Sequence, residues 1–314
     1  MLPFAALTAS TLLVMSLALP AAATCLSCSS GGSGTSADLG AAGGAASFFS
    51  MGTRWLVQQG VSLRAATGSF DEFGAVTAPP EGGSLLTAQG LLAVHHFPAP
   101  GLSLGLQAPV VGHRVEGATW GMFGSLAAAE GPARLGGGVG DLVLQASQAL
   151  GEWGPLGVAA WGSTSVPLGT AVGEAERLTG LGYWTGALGL VAVVQWDDWE
   201  ASLNAGHQRP LSQPPPENPF ALGPTGLYQL HLSRRLSDAW RLGVGANGYV
   251  GGWVAPSGAT ALPSAKPKLV VSAQWAASPF AGVRLALGGD PEGLGARNAM
   301  RDVTVYVIGY RYVR

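Results

Sequence analysis

Few side chains in this chain could do chemistry, and their spacing is more informative than their number. The 314 residues include 16 Lys and Arg, 18 Asp and Glu, five His and two Cys, for a formal net charge of −2. His95 and His96 are adjacent. Adjacent residues of a strand point to opposite faces, so this pair cannot chelate from one wall. His113, His207 and His231 stand apart from one another. There is no Gly-x-Ser-x-Gly elbow, no His-Glu-x-x-His pair and no phosphate loop. Cys25 and Cys28 have the two-residue spacer of redox and metal motifs, but a metal would need two more ligands and none lies nearby. No metal, cofactor or enzymatic activity is therefore expected. For the cysteines three readings stay open: a Cys25–Cys28 disulfide, lipid attachment at Cys25, or unpaired thiols. The net charge and the lack of a basic run argue against nucleic acid as a partner.

The charged residues do follow a pattern. Arg54, Arg64, Asp141, Glu200, Arg235, Arg241, Lys268, Arg284 and Arg311 fall on the polar parity of alternating stretches. The hairpin at 226–254 shows the pattern best. Tyr228, Leu230, Leu232 and Leu236 alternate with Gln229, His231, Ser233 and Arg235; after the polar turn Ser237-Asp238-Ala239, Leu242, Val244, Ala246 and Val250 alternate with Arg241, Gly243, Gly245 and Asn247. A period of two puts one set on each face of a sheet. Each arm runs about ten residues or more, enough for a tilted strand to cross a bilayer.

The rest of the chain repeats this unit. Strands are expected from Thr53 up to a loop at 67–83, over 84–97, 102–111, 140–150, 156–166, 182–196, 199–209, the two arms of the hairpin and 265–277. Next comes a strand with Val283, Leu285 and Leu287 against Arg284 and, after a loop at 289–300, a last strand with Tyr306, Ile308, Tyr310 and Tyr312 on the apolar parity opposite Gly309 and Arg311. Connections after even strands are short and those after odd strands are longer, as in a barrel with short periplasmic turns and longer extracellular loops. Trp153, Trp196, Trp199, Trp240 and Trp275 fall near the short turns, where indoles favour a membrane interface. No apolar run of about eighteen residues follows the N-terminus, so no helical span is expected. With 49 Gly, 11% charged residues and mean hydropathy of only +0.30, the reading is all-β: an antiparallel transmembrane β-barrel of about twelve strands over 52–314. The competing reading is a Gly-rich soluble β-sandwich, whose crossings would not alternate short and long.

Residues 1–23 read as an export signal, with the apolar core Leu12–Leu19 and an Ala21-Ala22-Ala23 cleavage site. Residues 24–51 read as a Gly/Ser/Ala-rich periplasmic tail. The location expected is the bacterial outer membrane, with membrane lipid, a small-molecule solute and the barrel-assembly machinery as partners.

In a barrel the polar parity faces the lumen, and the nine charged residues above become its lining: seven cations and two acids. Such a lumen favours anionic or amphiphilic solutes, because charges between low-dielectric walls focus the field. The bland alternative is internal salt bridges that merely fill the barrel. The long segment 112–138, with Trp120, is expected to fold inward as a constriction.

At Gly138-Val139-Gly140-Asp141-Leu142, and one strand later at Val166-Pro167-Leu168-Gly169, the chain resembles the outer-membrane β-barrel transporter family of the "MetA-pathway of phenol degradation" type. The resemblance implies a channel for hydrophobic or aromatic compounds. Within the motif, Asp141 is placed to hydrogen-bond the backbone of the Gly-rich loop rather than a solute. Barrels of this kind commonly end on an aromatic residue, whereas this chain ends Tyr312-Val313-Arg314. The function expected is passive passage of small, hydrophobic or anionic solutes. Two alternatives stand beside it: a barrel enzyme such as a lipid hydrolase, and a closed structural or surface-interaction barrel.

Overall fold

A computed structural model describes residues 55–120, 126–213, 223–253, 262–278 and 281–313. Arg54, Cys25, Cys28 and the leader lie outside the described residues. Twelve long strands form the staves of a barrel: β1 Trp55–Phe70, β2 Ser84–Ala99, β3 Leu102–Glu116, β4 Leu142–Trp153, β5 Leu156–Val166, β6 Thr185–Trp196, β7 Trp199–Pro210, β8 Thr225–Arg235, β9 Trp240–Trp253, β10 Leu262–Ser278, β11 Ala281–Gly289 and β12 Ala299–Val313. Each stave pairs antiparallel with the next, and β12 pairs antiparallel with β1, so the sheet closes on itself and leaves no edge. Among the described residues the one helical piece is the single 3-10 turn Ala175–Arg177.

Closure follows from residue chemistry. Outward positions carry Val61, Leu188, Leu230 and Val271, each more than half exposed. Inward positions on the same strands carry Ser62, Gln229 and Lys268, all buried. An apolar exterior around a polar interior is stable only where the exterior meets lipid. The short connections are two-residue turns in three places, each with a left-handed residue: Gly101 at φ +74, Gly154 at φ +62 and Asp197 at φ +49. In Gly154-Pro155 the positive φ falls at the first turn residue, the geometry that matches the twist of the strands it joins. Trp153, Trp196, Trp240 and Trp275 sit beside this row of turns, outward and about half exposed, as an interfacial belt.

The structure departs from the sequence reading in three places. β1 continues through Thr67 to Phe70, where a loop was expected. The segment 112–138 is largely strand: β3 runs on to Glu116, and Arg134–Val139 forms a further strand paired with its upper half. Between them Ala118–Trp120 and Leu126–Ala128 make a small separate pair. The backbone of Trp120 belongs to that pair, and its side chain lies outside the described residues. Third, β12 faces the opposite way from the expectation. Tyr306 and Ile308 point inward and are buried, while Val303, Val305 and Val307 point outward and are exposed by 40–45%. Arg311 shares their outward parity and is exposed beside the periplasmic turns, so it does not line the lumen. Beyond Thr304 both parities of this strand are largely apolar. The tyrosines go inward because their hydroxyls need partners there, as where Gln274 Nε2 donates to the Tyr310 hydroxyl at 3.0 Å.

Candidate functional site: the barrel lumen

The inward polar residues gather in two charge clusters, one toward each end of the lumen. The extracellular cluster is built from neighbouring staves. Lys266 and Lys268 come from β10, two residues apart and hence on one face; Arg64 comes from β1; Asp302 and Thr304 come from β12. Asp290 comes from the connection just after β11. Lys266 Nζ lies 2.5 Å from Asp302 Oδ2 and 3.2 Å from Asp290 Oδ2. Lys268 Nζ donates to Asp302 Oδ1 at 2.6 Å and to Thr304 Oγ1 at 2.8 Å. The backbone N–H of Asp302 donates to Asp290 Oδ2 at 2.7 Å. The five charged groups are all buried. Buried charges persist only when paired and hydrogen-bonded, and Lys266, Lys268 and Asp302 meet both conditions, with Arg64 at 4.0 Å from Asp302 on the cluster's edge.

The periplasmic cluster is looser. Arg241 of β9 lies 3.0 Å from Glu200 of β7 and donates to Ser233 Oγ at 3.2 Å. Arg284 of β11 donates from one nitrogen to His231 Nε2 and to Ser272 Oγ, both at 3.2 Å. Arg241, His231 and Ser272 retain some exposure. Between the two clusters runs an amide ladder, Asn204–Gln229–Asn247, in register across β7, β8 and β9 and ending on Lys268.

Glycines decide how the large inward side chains lie. The Trp161 indole lies flat across β6 and β7 over Gly189 and Gly206, where an added Cβ would come within 2.4 Å of the ring. Laid that way, its Nε1 donates to Asn204 Oδ1 at 3.0 Å. The His231 ring lies over Gly243 in the same manner, 2.5 Å from where a Cβ would stand, and so reaches Arg284 three strands on. Bulky side chains are thus spread along the wall rather than aimed at the axis.

The wall itself is interrupted once. Gly140-Asp141 breaks the line between Arg134–Val139 and β4, and β5 and β6 stop below that level at Val166 and Thr185. The connection 167–184 folds into the gap. Asp141 holds it there: Oδ1 accepts the N–H of Gly169 at 2.9 Å and Oδ2 that of Leu181 at 2.6 Å. Gly180 packs so close to Asp141 that an added Cβ would fall 2.2 Å from Oδ1. Thr179 Oγ1 donates to Val139 O at 2.8 Å, and His113 Nε2 donates to Leu178 O at 2.8 Å. Leu178, Leu181 and Tyr183 are buried by this fold. Asp141 therefore binds backbone, but that of the following connection rather than of its own Gly-rich strand. The two motifs, 138–142 and 166–169, are joined through one carboxylate. Two connections fold inward among the described residues: 167–184, and within 112–138 the small pair Ala118–Trp120 and Leu126–Ala128, where the Leu126 N–H donates to the inward Ser69 Oγ at 2.9 Å and Leu126 packs against Leu85, Val115 and Met300.

Of the sequence candidates, Arg64, Asp141, Glu200, Arg241, Lys268 and Arg284 lie on the inward side. Arg235 has inward parity but sits at the periplasmic rim, paired with Asp198 at 3.0 Å. Lys266, Asp290 and Asp302 were not among the candidates. Lys266 shares the parity of Lys268 and could have been found from it. Asp302 was hidden by the reversed parity of β12. Asp290 lies beyond a strand end, where alternation carries no signal. Among the described residues the strands and their ends then bring five inward cations, Arg64, Arg241, Lys266, Lys268 and Arg284, to four carboxylates, Asp141, Glu200, Asp290 and Asp302, and the connection 167–184 adds the pair Arg134–Glu176 at 3.6 Å.

A family model described as "Putative MetA-pathway of phenol degradation" matches residues 68–261, more than half of the chain. An outer membrane channel from Pseudomonas putida F1 superposes with a TM-score of 0.66 at 14% identity, covering 85% of this chain and 98% of that one. The NanC porin gives 0.49 at 5% identity, covering 82% and 100%. The translocator domain of the autotransporter NalP from Neisseria meningitidis gives 0.47 at 11% identity, covering 84% and 90%. No curated protein matches the chain in sequence. The first superposition establishes the shared barrel fold.

Proposed function

Since the chain belongs to the family described as "Putative MetA-pathway of phenol degradation", we propose that it is a passive outer-membrane channel for small solutes. The observation that carries this reading is the predominantly polar and charged inward face within a closed, externally apolar barrel. The solute moves down its gradient past the extracellular cluster, along the amide ladder and out past Arg241 and Arg284. The near balance of five cations and four carboxylates supports only a mild preference for anions. Planar-bilayer conductance of the folded chain tests this. Discrete steps with a reversal potential displaced modestly toward anions are expected. A chain that is folded by heat-modifiable gel shift yet silent at every voltage would sink the reading.

The gap at Gly140-Asp141 favours a second route for apolar solutes. The plug 167–184 is held mainly through Asp141 and Thr179, and apolar Leu135, Val139, Leu168 and Val172 are exposed around it. A solute that dissolves in lipid could pass sideways there, without crossing the whole lumen. Uptake of an apolar fluorophore into vesicles, faster when Asp141 is replaced, would favour this route.

Hydrolysis fits less well. His231 and Ser272 lie 3.4 Å apart, but Arg284 donates to the same His231 nitrogen that would have to accept the serine proton.

A further inference from the structure

The outside of the barrel carries one feature that conduction does not use. Arg234 of β8 points outward, toward lipid, and is exposed. Its guanidinium stands over the Trp199 ring, 5.4 Å from the centroid. Arginine on a lipid face is unfavourable at mid-depth and tolerated near the interface, and Arg234 sits beside the periplasmic turn, in register with Trp199 and Leu242. Next to it a groove of about 640 Å³ runs across β8 to β11. Its walls are Leu232, Leu242, Val244, Leu285 and Leu287. Its floor dips at Ala273, a small residue in register between Leu242 and Leu285. One step nearer the periplasm Trp240 and Trp275 pair directly across the strands, marking the level of the interface.

We propose that this face binds an anionic glycerophospholipid of the periplasmic leaflet. The phosphate sits on Arg234 and one acyl chain lies in the groove over Ala273. Three observations fit together. The guanidinium fork matches phosphate geometry and is held in place by the indole beneath it. The groove begins beside that cation, as an acyl chain begins beside its headgroup, and it is lined by apolar side chains. The cation also lies at headgroup depth rather than in the hydrocarbon. An anionic lipid is favoured over a zwitterionic one because a choline group would place a second positive charge beside Arg234.

Native mass spectrometry of the full folded chain tests this, after exchange from vesicles holding equal phosphatidylglycerol and phosphatidylcholine of the same chains. The wild type is expected to retain one phosphatidylglycerol in preference to phosphatidylcholine by roughly fivefold or more. Arg234→Gln should abolish the headgroup preference. Ala273→Leu, which raises the floor, should lower retention of both lipids while keeping the preference in what remains. Arg234 is exposed, so both variants are checked for folding by the heat-modifiable gel shift and compared only as folded protein. Equal retention of the two lipids by the wild type, or an unchanged preference in Arg234→Gln, would overturn the proposal. A wild-type signal at twice the chain mass that Ala273→Leu removes would assign the face to a second copy and overturn it as well.

Discussion

Asp302 accepts from two lysines at 2.5 and 2.6 Å, and nothing in its cluster reaches solvent. At the other end of the lumen Arg241 meets Glu200 at 3.0 Å and keeps 13% of its side chain exposed. The two groups use similar residues for different work. The extracellular cluster joins β1, β10 and β12 to the connection after β11, and both its carboxylates are taken up by its own cations. The periplasmic cluster binds each cation through a few single contacts and leaves Arg241, though not the buried Arg284, within reach of a passing solute. Burial and redundancy mark the first as a structural tie. Partial exposure marks the second as the place where selectivity is set.

This contrast can be broken by experiment, beginning with the largest effect. Asp302→Ala strands two buried lysines and should lower stability by about 3–5 kcal/mol, read as a shift of the urea unfolding midpoint in micelles. Glu200→Ala is expected to have a smaller effect, and equal losses would erase the distinction between the clusters. Asp141→Ala removes the acceptor of two backbone N–H groups and should cost about 1–3 kcal/mol for each donor left unmet. Its signature is local: cleavage by added protease within 167–184 while the barrel keeps its gel shift. Gly243→Ala would push the His231 ring off the wall, with an overpacking cost of about 1–3 kcal/mol. Conductance should fall without a change in selectivity. The smallest effect is the most specific. Glu200→Gln leaves Arg241 and Arg284 without their carboxylate and should move the reversal potential further toward anions. Arg241→Gln should move it back. If the same pair of changes at Lys268 and Asp302 shifted selectivity as much, the extracellular cluster would be part of the conduction path after all.

The staves were legible in the sequence because a half-buried strand must alternate, and most of this chain does. The hairpin 226–254 and the stretch 265–277 were read with the correct faces. β12 was not, since Val303, Val305 and Val307 compete with Tyr306 and Ile308 and hydrophobicity alone cannot rank two apolar parities. The extension of β3 to Glu116 and the strand Arg134–Val139 were obscured by glycine, which weakens alternation by having no side chain to alternate. Asp141 was legible as a residue that binds backbone, because a carboxylate among glycines has few other uses. Its partners at Gly169 and Leu181 were not, as they depend on a loop folding back across the wall. The flat-lying Trp161 and His231 were hidden for a related reason. Their placement requires glycines on neighbouring strands, and register between strands is not written in either strand alone.

The seam between β1 and β12 has a consequence in time. The first stave pairs with the last along nearly its whole length, and 258 positions separate Trp55 from Val313 and 240 separate Arg64 from Thr304. Every other stave meets both neighbours as soon as they are made; β1 must wait for the end of the chain. Until then its outer edge is an open template for any passing strand, and the contact that closes the ring is the most distant in sequence and so the slowest to find. Arg64 sits on that edge, and its partner Asp302 arrives only with β12. The contact that closes the ring therefore also brings in the carboxylate that the extracellular cluster is built around, and the barrel gains this tie only as it becomes a barrel.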